Sequence, residues 1–144
     1  MARFAILALA AALAASPAWA QDEVRHAAAD GFAPFDQQAD SDGWVSISPQ
    51  PLYLTAGVDK PAGAPLTLQP GSYRIVVICD CGMMEVTMLR PDNSPIAAER
   101  SDDRRAMYSV DVPTAGAYLA GIDMDDCSKA ECEVALKVYR KKDG

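Results

Sequence analysis

The feature that most constrains this fold is an alternation of apolar and polar side chains that runs from Trp44 to the end of the chain. A period of two residues is typical of β-strands, because successive side chains of a strand point to opposite faces. Turn-forming residues, such as Pro70-Gly71 and Pro91-Asp92-Asn93, separate the alternating runs. About eight short strands are predicted in this way. After Trp44, no stretch of apolar residues keeps a helical period. The pattern predicts an all-β domain, an antiparallel β-sandwich, with a barrel as the main alternative.

The clearest predicted strand runs from Tyr73 to Cys79. Apolar residues occupy both of its faces, since Ile75 and Val77 alternate with Val76 and Ile78. A strand that is apolar on both faces is buried on both faces. We therefore predict a central strand with protein packed on each side.

Two strand entrances carry the same short pattern, Gly71-Ser-Tyr73 and Gly116-Ala-Tyr118. A tyrosine at such a place can bury its ring while its hydroxyl bonds to the adjacent loop. The pattern resembles the tyrosine corner of Greek-key sandwiches. A structural role is therefore predicted for both tyrosines.

The first twenty residues have the features of an export signal. Arg3 precedes the apolar run Phe4 to Ala15, and Ala18-Trp19-Ala20 fits the small-x-small cleavage pattern. A membrane anchor is the alternative, but a spanning helix needs about 20 apolar residues and this run is shorter. Residues 1–20 are therefore predicted to be a cleaved signal helix. The mature protein is expected to be periplasmic or secreted and not embedded in a membrane.

The mature part divides into two regions by composition. Residues 21–43 are predicted to be a flexible N-terminal arm, since Asp36 to Gly43 is polar and loop-forming, with Phe32 and Phe35 as possible anchors. Residues 44–144 are predicted to be the β-sandwich domain. The net charge is −7 for the whole chain and −8 without the signal segment, which carries Arg3 and no acid. This charge argues against nucleic acid as a partner.

All four cysteines, Cys79, Cys81, Cys127 and Cys132, lie in the predicted mature part. An even number of cysteines in an oxidising compartment indicates disulfides, here two. We expect two local bridges, Cys79–Cys81 and Cys127–Cys132, and the crossed pairings remain open.

A second interpretation is that the region around Cys79 and Cys81 binds a metal ion. Cys79, Cys81, Met83 and Met84 place soft sulfur ligands within six residues. Thiolate and thioether ligands select Cu(I), so an exported copper carrier is the alternative function. The competing structural interpretation is that the thiols form disulfides and the methionines fill the core.

Other candidate sites are weaker. Asp123, Asp125 and Asp126 could contribute oxygen ligands to calcium, although short acidic runs are usually solvated turns. His26 is the only histidine, and no Gly-x-Ser-x-Gly motif accompanies it. No pair of carboxylates stands out for hydrolysis either. No catalytic residues are predicted, and the chain is expected not to be an enzyme.

Several short motifs resemble the bacterial pre-peptidase C-terminal (PPC) domain. They are Leu68-x-Pro-Gly71-x-Tyr73, Met84-x-Val86-x-Met88-Leu89 with Pro91-Asp92-Asn93, Tyr108-x-Val110, Gly116-x-Tyr118 and Val138-x-Arg140. The resemblance implies a jelly-roll-like sandwich, here standing alone after a signal peptide. It also implies a non-catalytic binding or accessory module. We expect no cofactor, and we expect the ligand to be an unknown protein or polymer.

Overall fold

The computed structural model describes residues 30–80 and 82–143. The predicted signal segment, His26 and the start of the predicted arm lie outside the described residues. The described part contains a helix and nine strands: α1 (Ala33–Ser41), β1 (Trp44–Ser46), β2 (Leu52–Ala56), β3 (Ala62–Leu68), β4 (Gly71–Cys79), β5 (Met84–Leu89), β6 (Pro95–Ser101), β7 (Arg105–Val112), β8 (Gly116–Met124) and β9 (Cys132–Lys141). In the described part of the chain, no helix is long and apolar enough to cross a bilayer.

The strands form two antiparallel sheets that pack face to face. The first sheet has the order β1-β9-β4-β7, and β2 pairs with β9 on the same edge as β1. The second sheet has the order β3-β8-β5-β6. The predicted all-β antiparallel sandwich is confirmed.

The main core lies between the two sheets. Alternate residues of β4, β7 and β9 face those of β3, β5 and β8, and the largest fully buried side chains include Leu68, Ile75, Met84, Met88, Tyr118, Ile122 and Leu136. Met84 and Met88 therefore fill the core, as the structural interpretation of the methionines expected.

The central-strand prediction for Tyr73 to Cys79 is confirmed. Strand β4 lies between β9 and β7, with Ile75 paired to Val138 on one side and Tyr108 on the other. Its opposite face contributes Val76 to a second cluster of buried residues on the outside of the first sheet. Both faces of β4 are thus covered.

The loop predicted over Asp36 to Gly43 is wrong, because most of this stretch belongs to helix α1. Phe32, Phe35 and Ala39 follow one another at helical spacing and pack on the outer face of the first sheet. Phe32 and Ala39 are almost completely buried. Burial of this apolar face stabilises a helix whose other positions are polar, so a polar composition misled the prediction. The predicted domain boundary after residue 43 stays a prediction.

Both Gly-x-Tyr patterns form the expected tyrosine contacts. The Tyr73 hydroxyl donates to the Gln69 carbonyl oxygen at 2.9 Å and accepts from the Gln69 N–H at 3.2 Å. The Tyr118 hydroxyl donates to the Thr114 carbonyl oxygen at 2.8 Å. Each ring is buried, and each hydroxyl holds the turn that leads into its strand.

A pair of tyrosine variants tests this account of the turns. We expect Tyr73→Phe to lower the free energy of unfolding by about 1 kcal/mol, because Gln69 loses its buried partner. Tyr108→Phe is the matched control, since the buried Tyr108 hydroxyl has no hydrogen-bond partner in the described part of the chain. Removing an unpaired buried hydroxyl should leave stability unchanged or raise it. Urea unfolding of both variants measures this, and an equal loss in Tyr108→Phe would contradict it.

Candidate functional site

The described cysteines, Cys79, Cys127 and Cys132, lie at one end of the sandwich. Cys127 and Cys132 form a disulfide, and their Cα atoms are 6.1 Å apart, within the usual range for such a bond. The local Cys127–Cys132 pairing is therefore confirmed. Cys79 is also disulfide-bonded, and no described cysteine has a free thiol. Cys81 lies outside the described residues, so the Cys79–Cys81 bridge stays a prediction.

Ion pairs hold the loops together at this end. The Asp80 carboxylate accepts a hydrogen bond from the Lys129 ammonium at 2.6 Å and another from the Glu133 N–H at 2.9 Å. The hydrogen bond to Asp80 raises the pKa of Lys129. Lys60 pairs with Glu131 in the same way, and this contact lowers the pKa of Glu131. These charged contacts join the β8–β9 loop to Asp80 and Lys60.

The described residues of the proposed copper cluster have different surroundings. Cys79 is already bonded to sulfur, Met83 is exposed, and Met84 is fully buried in the core. Copper ligation by cysteine requires a free thiolate, so it would first require reduction of the disulfide. Copper binding stays a prediction on these residues.

The acidic residues proposed for calcium have different partners. Asp123 is an exposed residue of β8 that lies opposite Glu85 of β5, whereas Asp125 pairs with Arg100 at 2.8 Å. The Asp126 N–H donates to the Met83 carbonyl oxygen at 3.4 Å. Within residues 30–80 and 82–143, no three His, Cys, Asp or Glu side chains are placed to hold a metal ion. Calcium binding at these aspartates stays a prediction.

A different candidate site lies on the edge of the first sheet where β9 changes its partner. Strand β1 pairs with the end of β9, and β2 pairs with its beginning. Residues 47–51 connect β1 to β2, and they include Pro49 and Pro51. Proline lacks the N–H that a continuous edge strand would need, so the edge is interrupted here.

Three apolar side chains are exposed along this interrupted edge. They are Val45, Ile47 and Leu52, which are 48%, 45% and 39% exposed. Leu52 lies directly opposite Leu136, and directly opposite residues share a face of the sheet. Leu136 belongs to the core, so Leu52 lies on the inner face, at the rim of the core.

A small pocket opens beside these side chains. Its volume is about 50 Å³, and it is lined by Ile47, Ser48, Gln50, Leu52, Leu66, Leu136, Lys137 and Val138. Most of the lining surface is apolar, because Leu66 and Leu136 form part of it. We call Val45, Ile47, Leu52 and this pocket the open edge. It is a place where one apolar side chain of another molecule could insert.

Sequence reasoning found only part of the open edge. Pro49 and Pro51 are a sequence signal for an edge strand or a bend, and the structure places an edge interruption there. The pocket itself gave no signal, because it forms from residues of β3 and β9 that are distant in sequence.

Comparison with known proteins adds no functional assignment. No known family model matches the chain, and no curated protein is significantly similar to it.

The confirmed disulfide gives a prediction for stability. We expect Cys127→Ser combined with Cys132→Ser to lower the free energy of unfolding by about 2 kcal/mol, because a short closed loop is released in the unfolded chain. Urea unfolding of the unreduced proteins measures this. Alkylation before reduction should leave Cys79 unmodified in both proteins. Alkylation of Cys79 in the variant but not in the wild type would contradict a Cys127–Cys132 bridge that is independent of the bond at Cys79.

Proposed function

We propose that this chain is an exported, non-catalytic binding module that engages a partner protein through the open edge. The observation that carries this proposal is an apolar pocket lined by exposed Ile47 and Leu52, with exposed Val45 two residues before Ile47. Single exposed apolar residues are common on protein surfaces, whereas contiguous apolar patches mark interaction sites.

The size of the pocket supports a protein as the ligand. Sites for small molecules usually measure about 300 to 1,000 Å³ and enclose most of the ligand. A pocket of about 50 Å³ is far smaller and suits the end of one side chain. In protein interfaces, such a pocket receives an anchoring residue while the surrounding apolar side chains exclude water.

The predicted export signal and the disulfides support a place outside the cytoplasm. Disulfides persist in oxidising compartments and are rare in the cytosol. The Cys127–Cys132 bridge and the bonded Cys79 suit such a compartment. A net charge of −7 in turn favours a soluble protein that does not bind nucleic acid.

A photo-crosslinking residue at position 47 tests the proposal in the organism that encodes the chain. We expect one defined protein adduct from position 47 and none from position 58. Val58 is the matched control because it is also exposed and apolar, at 55%, but does not line the pocket. The captured protein is then purified and titrated. We expect Ile47→Asp to weaken its binding by about tenfold or more and Val58→Asp to change it by less than about twofold.

Two results would contradict this function. Equal adducts from positions 47 and 58 would indicate nonspecific contact. Specific retention on a polysaccharide, with no protein adduct, would identify a polymer as the ligand instead. Urea unfolding of Ile47→Asp confirms that the variant is folded, since position 47 is half exposed and lies outside the strands.

A further inference from the structure

The outer face of the first sheet carries a second surface, which shares Lys137 with the lining of the open edge. Val76, Ala135 and Tyr139 form its apolar centre and are almost completely buried. Their positions are fixed by the pairing of β4 with β9, in which Val76 lies opposite Lys137 and Ile78 opposite Ala135. The strands that form this surface are therefore held by the sheet itself.

Basic side chains surround this apolar centre. Arg74 and Lys141 approach the ring of Trp44, at 4.5 and 5.1 Å from its centroid. Lys137 lies on the same face of β9 as Tyr139, and Lys142 follows the strand. We call the apolar centre and these four cations the basic face. It is unusual in a chain whose net charge is −7.

Helix α1 covers the basic face and contacts it through acidic side chains. The Asp36 carboxylate accepts hydrogen bonds from the Lys137 ammonium at 2.6 and 2.9 Å and from the Tyr139 hydroxyl at 2.8 Å. Burial, followed by the contact with Asp36, raises the pKa of Tyr139. The Tyr139 hydroxyl therefore stays a neutral donor at physiological pH.

The end of the helix continues the same charge pattern. Asp40 pairs with Lys142 at 3.4 Å, and Asp42 pairs with Arg74 at 3.6 Å. The Lys141 ammonium also donates to the Asp42 carbonyl oxygen at 2.6 Å. In the described part of the chain, every ion pair between residues 32–42 and the sheet thus has its acid on the helix side.

Helix α1 has little stability of its own. It has nine residues, an N-cap at Phe32 without a side-chain hydrogen bond, and no basic residue in its last turn. Isolated helices shorter than about 12 to 15 residues are marginal in water. The Asp40 and Asp42 pairs involve exposed carboxylates, and exposed pairs contribute little and are screened by salt. The helix therefore depends on its contacts with the basic face for its stability.

We propose that the basic face is a receptor for an acidic amphipathic helix of a partner protein and that α1 occupies it as an intramolecular competitor. The contacts of α1 define the expected ligand. It has two aromatic residues three positions apart, a carboxylate directly after the second aromatic residue, and a small residue three positions after the carboxylate. Phe32, Phe35, Asp36 and Ala39 show this spacing. Helices that place residues at such spacing into an apolar surface are a common recognition mode.

A fluorescent peptide with the sequence of residues 30–43 serves as the probe. Its binding to the whole chain is measured by anisotropy, for the wild type and for Phe32→Ser, which weakens the covalently attached helix. We expect Phe32→Ser to bind the peptide at least about tenfold more tightly, because a competitor within the chain lowers the fraction of open sites. Asp36→Asn, which removes charge but hardly any volume, is a second variant for the case that Phe32→Ser does not fold.

Two controls test the charge pattern. A peptide with asparagine in place of Asp36, Asp40 and Asp42 should bind the Phe32→Ser chain about tenfold more weakly. Lys137→Met in the same chain should also weaken binding of the original peptide. Ile47→Asp should leave peptide binding unchanged, since the open edge is a different surface.

Two results would overturn the proposal. Equal, weak peptide binding to the wild type and to both folded variants would mean that α1 is only a structural cover. A dimer of the wild type or of Asp36→Asn in light scattering, dissociated by the peptide, would mean that the occupant is the α1 of a second copy.

Discussion

The structure depends on burial of both faces of the central strand pair, β4 and β9. The second sheet covers their inner face, where Ile75 and Leu136 are completely buried. The outer face carries Val76 and Tyr139, which also need a cover, but it carries Lys137 as well. A lysine that is 8% exposed is stable only with a charged partner, because an unpaired buried charge is costly. Asp36 supplies that partner, so α1 completes the sandwich through an apolar contact and an ion pair together.

The strands could be predicted because their signal is local. Alternation along the chain, proline and glycine at the turns, and the two Gly-x-Tyr patterns each indicate the structure of the residues that contain them. Helix α1 could not be predicted in this way. Two thirds of its residues are polar or proline, and its helical state depends on contacts with residues about a hundred positions away. Phe32, Phe35 and Ala39 at helical spacing were the available signal.

The same distinction between local signals and contacts of distant residues applies to the candidate site. The Cys127–Cys132 pairing could be expected because the two cysteines are near in sequence and the intervening loop can close. The open edge could not be predicted, because it forms where the pairing partner of β9 changes from β2 to β1. Leu66, which belongs to the other sheet, also forms part of the pocket. Pro49 and Pro51 indicate an edge strand or a bend, but not which side chains are exposed there.

Strand β9 connects the two surfaces. Leu136 and Val138 line the pocket, and Tyr139 lies beneath α1. Lys137 takes part in both surfaces, since it lines the pocket and also pairs with Asp36 of α1. Such proximity does not by itself couple the two sites, because coupling requires a state in which each ligand makes different contacts. The first residues after α1 offer such a state. Release of α1 frees Asp42 from Arg74 and Lys141, and Trp44, which lies two residues on, begins the strand that borders the pocket. A link between the surfaces would therefore run through β1, the shortest strand at the edge of the sheet, rather than through β9, which is held by partners on both sides.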